Sequence, residues 1–345
     1  MKRILDFFWP LVGFAAVAVS LWLLHREFKG EAVGPEVWDH LTSISATHYA
    51  MAILATLVAY GALAWYDRIA LLHLRVKNIS WVFISLCSFT TYALAHNIGA
   101  TVFSGGMVRY RAYHSKGLSA AQVAVLVAIC SLTFALGTVL LGGLISVLEP
   151  EQLSRFHGML PEKFRFLTDP TTARLVGVIF LSGVAIYVIG SIFRFRPIMV
   201  SGFRLEYPKP DIAARQMLAA PLELLGAAGI IYFALPDAGN PGYFAVLAVF
   251  IASFSAALWS NAPGGLGVFE WFFIGAMPEM PKTQVLAALL VFRLFYLLIP
   301  FFLSIFVVII FERNRLREVL HHDDGHQKPD VEIKQVAGRK EAGIR

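Results

Sequence analysis

The residues least suited to a lipid-facing helix lie in 258–273, LWSNAPGGLGVFEWFF, between two long apolar runs. Asn261, Pro263 and three glycines precede Glu270 there. Proline removes a backbone donor, and glycine permits conformations that other residues avoid. A helix beginning near Leu266 would direct its free N–H groups and positive dipole end at this break, which suits a phosphate. The alternative is that the glycines only permit close helix packing.

Three ionisable residues lie within apolar segments, where a charge is costly and marks a functional site by default. They are Glu223, Glu270 and Arg293. A carboxylate and a guanidinium beside a helix terminus would suit a zwitterionic lipid headgroup. The alternative that remains open is a buried ion pair between Glu270 and Arg293 that only holds two segments together.

A second break in an apolar run occurs at His96–Asn97–Ile98–Gly99, and that segment ends in Ser104–Gly105–Gly106. The stretch SGGMVRYRAYHSKG places Arg109 and Arg111 among tyrosines. At the cytoplasmic interface these arginines would hold lipid phosphates as bidentate donors. Ordinary positive-inside anchoring with an aromatic belt is the alternative. Asn97 is a weaker candidate, and a lone histidine at this break is more often a satisfied core residue than a ligand.

The remaining polar groups do not form a catalytic or metal-binding set. Asp67 and Arg68 end the second apolar segment and are interpreted as anchors at the cytoplasmic interface. Cys87 and Cys130 lie inside apolar segments and are interpreted as packing residues. The sequence lacks the phosphate-binding loop, the zinc-protease helix and the hydrolase elbow motif. We therefore expect no metal and no cofactor, and a transporter rather than an enzyme.

Apolar segments dominate the chain, because 57% of its 345 residues are hydrophobic and 15% are charged, against ~25% charged in a soluble protein. About 20 apolar residues cross the hydrocarbon core as a helix. Eight hydrophobic segments lie at residues 7–24, 44–65, 79–103, 120–147, 173–193, 213–235, 243–277 and 285–311. The predicted fold is an all-α polytopic membrane protein. Residues 1–311 would form one helical transmembrane domain, and residues 312–345 a polar cytoplasmic tail that is helical at first and then disordered.

Basic residues cluster in the links 66–78, 104–119 and 194–215, at the N-terminus and in the tail, and should face the cytoplasm. Eight simple spans cannot place all of these clusters on one side. If 79–108 enters from the cytoplasm and returns, and 243–277 does the same from the outer face, every cluster falls inside. We therefore predict two broken re-entrant hairpins in an inverted arrangement, with tips that meet near the midplane and both termini cytoplasmic. Eight full spans with a charge mismatch are the alternative.

Three pieces of the sequence, SGGMVRYRAY, APGGLGVFE and FRLFYLLIP, resemble the membrane domain of bacterial lysylphosphatidylglycerol synthase/flippase proteins. The resemblance covers roughly residues 1–315, and the family includes stand-alone membrane proteins. It implies a broken-hairpin helical fold that moves aminoacylated phosphatidylglycerol from the inner to the outer leaflet of the bacterial inner membrane. The motif residues that it implies are Gly105, Gly106 and Arg109 in the first hairpin, Pro263, Gly264, Gly265, Gly267 and Glu270 in the second, and Arg293, Tyr296 and Pro300 in the last helix.

The resemblance and the intramembrane charges together lead to a function. Bifunctional members carry a soluble aminoacyltransferase domain, which needs well over ~100 residues, whereas a short polar tail follows residue 311 here. We therefore expect a lipid translocase, or flippase-like protein, that handles (aminoacyl-)phosphatidylglycerol or a related anionic or zwitterionic lipid. The alternatives are the membrane component of a lysylphosphatidylglycerol synthase acting with a separate catalytic chain, and a structural or regulatory protein whose charges pair only internally.

The expected partner is membrane phospholipid and not nucleic acid, since the net charge of +6 is spread between apolar segments. A separate aminoacyltransferase and a homo-oligomer are left open. The candidate substrate-binding residues are Asn97, Gly105, Gly106, Arg109, Arg111, Glu223, Asn261, Pro263, Gly264, Gly265, Gly267, Glu270, Arg293 and Tyr296.

Overall fold

Helices account for almost all of the computed structural model, which describes residues 33–98, 101–195, 198–200, 203–205, 207–260 and 263–324. The first predicted segment, 7–24, and the end of the tail lie outside the described residues. The helices are α1 (Val33–Ser43), α2 (Ala46–His73), α3 (Trp81–Ile98), α4 (Thr101–His114), α5 (Ala120–Leu148), α6 (Pro170–Ile192), α7 (Pro210–Ala234), α8 (Tyr243–Ser260), α9 (Val268–Gly275), α10 (Lys282–Phe292) and α11 (Ile299–Asp324). A π-helical turn, Arg293–Leu298, joins α10 to α11.

Short 3-10 segments and one small β-hairpin complete the described part of the chain. The 3-10 segments are Pro150–Phe156, Glu162–Thr168 and Pro263–Gly265. The strands β1 (Ile198–Val200) and β2 (Phe203–Leu205) pair antiparallel. This hairpin, which lies in the basic link between α6 and α7, was not predicted from the sequence. Two strands of three residues do not change the fold class.

Polar residues at the breaks between apolar runs define where three long helices begin. The Ser45 side chain caps α2. At the start of α5, Ser119 and Gln122 form a reciprocal capping box, which satisfies two backbone donors. Asp169 caps α6 directly before Pro170, a residue that is well suited to the first helical position.

Five helical stretches within the described residues are long and apolar enough to cross a membrane. They are Ala46–His73, Ala120–Leu148, Pro170–Ile192, Pro210–Ala234 and Lys282–Phe311. Each corresponds to a predicted full span, and the prediction of an all-α polytopic membrane protein is confirmed. The apolar stretch Tyr243–Trp259 is shorter.

The two segments predicted to be broken each consist of two helices packed against each other. In the first, α3 packs against α4, and in the second, α8 packs against α9. The predicted loop 104–119 is wrong, because α4 continues to His114. Glycine normally weakens a helix, but a Cβ at Gly105 would lie 3.1 Å from Thr91 Cγ2 and 3.5 Å from Ala95 Cβ. The glycine therefore permits the close approach of α3 and α4.

Small residues bring α7 into contact with the backbone of α2. A Cβ at Gly226 would lie 2.8 Å from the Ala59 nitrogen and 2.9 Å from the Ala55 oxygen. Close approach through small residues is how membrane helices gain dispersion energy without a hydrophobic driving force. Of the five spanning stretches, the one formed by α7 is the most buried.

The chain divides into two compact units, residues 1–304 and residues 305–345. In the second unit the structure describes α11 as far as Asp324. The tail is therefore helical at first, as predicted. The domain boundary placed after residue 311 and the cytoplasmic location of the tail stay predictions.

Candidate functional site

The turn between α8 and α9 depends on glycines in a backbone conformation that other residues avoid. Gly264, Gly265 and Gly267 have φ values of 60°, 65° and 77°. An L-residue with a side chain pays roughly 1–2 kcal/mol in this left-handed region. At Gly265 a Cβ would also lie 2.9 Å from the Ala257 Cβ. These three glycines are therefore required for the turn itself.

The carboxylate of Glu270 occupies the helix N-terminus that the sequence analysis assigned to a phosphate. Helix α9 begins at Val268, two residues after the predicted start near Leu266. The Gly267 N–H donates to Glu270 Oε2 at 2.9 Å. In this conformation the anion at the start of α9 is thus the protein's own side chain.

Arg293 connects the π-helical turn to both sides of the α8–α9 turn. Its Nε donates to Glu270 Oε1 at 2.6 Å, and its Nη1 donates to the Gly264 carbonyl oxygen at 3.1 Å. Nη2 contacts Glu270 Oε1 as an ion pair but is not aligned for a hydrogen bond. Both side chains are buried. The ion pair that the sequence left open as an alternative therefore exists.

Side chains from two other helices donate hydrogen bonds to two backbone carbonyls of the π-helical turn. Pro300 has no N–H, so it cannot bond the carbonyl four residues earlier. That carbonyl, of Tyr296, accepts from the Tyr60 hydroxyl at 2.9 Å, and the next one, of Leu297, accepts from Asn97 Nδ2 at 3.1 Å. π-helical turns are rare in proteins, and those that do occur are frequently found at functional sites.

The broken ends of the two hairpins contact each other. The C-terminal part of α3 packs against the turn Pro263–Gly265 and against the π-helical turn. A Cβ at Gly264 would lie 3.6 Å from Arg293 Nη1 and 3.9 Å from the His96 carbonyl oxygen. The His96 ring stacks on the Tyr296 ring, with 5.4 Å between centroids. We call this set, the two hairpin ends with the π-helical turn, the tip cluster.

Glu223 joins the tip cluster from α7. Its side chain is 1% exposed. The Tyr296 hydroxyl donates to Glu223 Oε1 at 2.6 Å. Oε2 is buried and accepts no hydrogen bond from the described residues. The Tyr66 hydroxyl also faces this carboxyl group, but its hydrogen bond goes to the Ala220 oxygen at 3.4 Å.

Arg109 was predicted to lie at the membrane interface, in a link between apolar segments. In the structure it instead forms a second buried ion pair. Its Nη2 and Nε donate to Asp67 Oδ1 at 2.7 Å and 3.2 Å. The Tyr113 hydroxyl donates to Asp67 Oδ2 at 2.8 Å, and the Cys130 thiol lies 3.5 Å from Oδ1. The Arg109 guanidinium also lies 4.8 Å from the Tyr92 ring centroid. The interpretation of Asp67 as an interfacial anchor is wrong as well, because α2 continues past it to His73 and residues of other helices bury it completely.

The other predicted site residues divide into three cases. Arg111 is exposed on α4, and Gly106 is half-buried and turned towards Val127. Pro263 begins the turn at the second hairpin tip. Asn261 lies outside the described residues. No group of three or more metal-binding side chains occurs in the part of the chain that the structure describes.

Asp67, and the tyrosines Tyr60 and Tyr66 that face Glu223 from α2, were not among the predicted site residues, whereas Tyr296 was. The signal was present, since Asp67 is followed by Ile69, Ala70 and Leu71, which continue the apolar run by another turn. Ending the segment at residue 65 placed Asp67 at a membrane surface. Extending the helix would have added both Asp67 and Arg68 to the ionisable residues within apolar segments.

These observations define a polytopic α-helical membrane protein with two broken helical hairpins and buried charges where the hairpins meet. No family model matches the chain. Over 294 residues it is 30% identical to an uncharacterized protein, slr0712, of Synechocystis sp. (strain ATCC 27184 / PCC 6803 / Kazusa), covering 83% of this chain and 87% of that protein. The chain belongs to the same family as slr0712. It is also 28% identical over 303 residues to the inner membrane protein YbhN of Escherichia coli (strain K12), covering 87% of this chain and 90% of YbhN.

Proposed function

We propose that this protein is a lipid translocase of the bacterial inner membrane that handles phosphatidylglycerol, its aminoacylated form, or a related anionic or zwitterionic lipid. The similarity to the inner membrane protein YbhN supports the location. The resemblance of the PGGLGVFE and Arg-x-x-Tyr-x-x-x-Pro motifs to lysylphosphatidylglycerol flippases supports the substrate class.

The observation that carries the proposal is the Arg293–Glu270 pair at the meeting point of the two hairpins. Charges at membrane depth are expensive and face a bundle interior or a polar pathway. Discontinuous helices that meet in the membrane are the usual binding sites of secondary transporters. In this chain the pair also holds the glycine turn, through the Gly264 oxygen and the Gly267 N–H.

A headgroup with both a phosphate and an ammonium, as in aminoacylated phosphatidylglycerol, carries the same two kinds of charge as this ion pair, and it is the form of the lipid that fits the exchange. A lipid phosphate can replace Glu270 as the partner of Arg293, while a headgroup ammonium replaces Arg293 as the partner of Glu270. Such an exchange leaves no buried charge unpaired, which avoids the several kcal/mol that an uncompensated ion costs. The exchange also breaks the hydrogen bonds that hold the Gly264 oxygen and the Gly267 N–H. Headgroup binding and loosening of the hairpin tip are therefore one event.

The experiment is leaflet exchange in liposomes that contain the purified protein. Fluorescent phosphatidylglycerol and lysylphosphatidylglycerol are placed in both leaflets, and the fraction accessible to an external quencher is followed over time. Protein liposomes should expose the inner-leaflet lipid faster than protein-free liposomes and liposomes with heat-inactivated protein. Equal rates in all three, with folded protein verified by circular dichroism, would contradict the proposal.

A further inference from the structure

The Glu223 carboxyl group is buried with only one of its oxygens hydrogen-bonded. The Tyr296 hydroxyl donates to Oε1, while Oε2 has no partner among the described residues. An ionised carboxylate offers about four acceptor sites. A buried carboxylate with a single hydroxyl donor is therefore poorly compensated.

Within the described residues, no cation faces Glu223 to offset a negative charge. The two buried arginines of the described residues are engaged elsewhere, Arg109 with Asp67 and Arg293 with Glu270. The titratable groups that face Glu223 are Tyr60 and Tyr66 of α2 and Tyr296 of the π-helical turn. His96 contacts the Tyr296 ring. Titratable side chains of the other helices packed on α7 are bonded elsewhere or lie near a helix end: Cys130 to Asp67, Tyr187 to Gln216, Tyr243 to the Leu225 oxygen, Lys282 at the start of α10, and Arg174, which is exposed, near the start of α6.

The surrounding hydroxyls suit the neutral acid. A protonated carboxyl group has one O–H donor as well as an acceptor oxygen. With a proton on Oε2, that O–H can be directed to the Tyr66 oxygen, because the Tyr66 hydrogen is used by the Ala220 carbonyl oxygen. Oε1 continues to accept from Tyr296. An ionised, unpaired carboxylate at the same place would be strongly disfavoured.

We propose that Glu223 is a proton-binding site, protonated in this conformation, and that release of its proton accompanies lipid movement; the second part rests on the proposed translocase function. The step is a simple ionisation, in which the carboxylic acid yields a carboxylate and a proton that leaves to water. The new carboxylate then requires a cation. Arg293 lies three residues before Tyr296 on the same π-helical turn. Its movement towards Glu223 would release the Gly264 oxygen and leave Glu270 to pair with the headgroup ammonium. Proton release therefore loosens the tip cluster, and proton binding closes it.

The first test detects the proton directly, without lipid transport. Infrared difference spectra of the reconstituted protein are recorded on stepping from acidic to alkaline pH, for the wild type, Glu223→Gln and Glu279→Gln. Glu223→Gln keeps the shape of the side chain and an acceptor for Tyr296. Glu279→Gln is the control for the loss of one glutamate, since Glu279 lies at a partly exposed position and pairs with Arg155.

The wild type and Glu279→Gln should share a carboxylic-acid carbonyl band that is lost at alkaline pH, and Glu223→Gln should lack it. Persistence of the same band in Glu223→Gln would overturn the assignment. If Glu223→Gln does not fold, Tyr296→Phe provides the test. It removes the donor to the ionised form, so the band should persist to more alkaline pH, and an unchanged pH would count against the site.

The second test measures leaflet exchange with and without an imposed pH gradient. The wild-type rate should change several-fold with the gradient, whereas the Glu223→Gln rate should be the same in both conditions. Equal responses of the two proteins would overturn the coupling. A wild type that moves no lipid under any gradient would contradict the translocase function instead, and the infrared result would then decide the proton site by itself.

Discussion

The buried ion pair between Arg109 and Asp67 should contribute strongly to stability through the cost of leaving either charge alone. Asp67 is 0% exposed and Arg109 is 4% exposed. The replacement Asp67→Asn preserves the side-chain shape, so it leaves no cavity, but it removes the negative charge. Breaking one partner of a buried pair costs about 3–5 kcal/mol. We expect about 3 kcal/mol, the low end of that range, because the amide oxygen still accepts one hydrogen bond.

The assay is unfolding of the purified protein by titration with a denaturing detergent in mixed micelles, followed by circular dichroism. Glu279→Gln serves as the control, because an exposed pair such as Arg155–Glu279 contributes about 0–1 kcal/mol. The double variant Asp67→Asn with Arg109→Met removes both charges. It should be more stable than Asp67→Asn, since no unpaired ion is left.

Two results would refute this reasoning. One is an Asp67→Asn protein as stable as Glu279→Gln, which would mean that Arg109 finds another partner or water. The other is a double variant whose loss of stability equals the sum of the losses measured for Asp67→Asn alone and for Arg109→Met alone. That result would show that the two side chains do not act as a pair.

Two further predictions concern packing and the π-helical turn. Gly226→Ala should destabilise the protein by roughly 1–3 kcal/mol, the usual cost of overpacking, because the new Cβ meets the backbone of α2 at Ala59. The control is Gly61→Ala, which should not destabilise the protein, because a Cβ at Gly61 has nothing within 4 Å. Equal stability of the two variants in thermal unfolding would contradict the close contact. Tyr60→Phe should destabilise the protein by about 1 kcal/mol, since it removes the donor to the Tyr296 carbonyl oxygen. If the detergent titration shows unchanged stability, this oxygen needs no partner.

The helical segments and their breaks could be predicted from the sequence because both depend on local properties. Apolar runs of sufficient length indicate spans, and Pro263 with its neighbouring glycines indicates the break between α8 and α9. The partnership of Glu270 with Arg293 was one of the alternatives, since few other charges lie within apolar segments. The charge distribution also distinguished the two broken segments from the full spans.

The parts that could not be predicted depend on contacts between distant segments. Gly105 and Gly106 indicate a loop when read locally, but Gly105 lies inside α4, where it packs against α3. Asp67 and Arg109 are 42 residues apart, and nothing in either segment indicates the other as its partner. The π-helical turn depends on donors from two other helices, Tyr60 and Asn97, and so has no local signal beyond Pro300.

The anion site at the start of α9 was predicted from a sound local argument and is used differently. A helix N-terminus does attract negative charge. Here Glu270 lies three residues after the N-cap Gly267, so its own carboxylate reaches the terminus before any ligand does. A lipid phosphate must therefore compete with Glu270, which is the physical basis of the exchange proposed above.

The most direct measurement compares the leaflet-exchange rates of Glu270→Gln and Glu279→Gln with that of the wild type in the same liposomes. Both variants remove one negative charge from a glutamate–arginine pair, one in the tip cluster and one at a partly exposed position. We predict exchange at the wild-type rate for Glu279→Gln and a loss of at least ~10-fold for Glu270→Gln, equivalent to ~1.4 kcal/mol or more in the barrier. Wild-type exchange by a folded Glu270→Gln protein would contradict the claim that the tip cluster moves the headgroup.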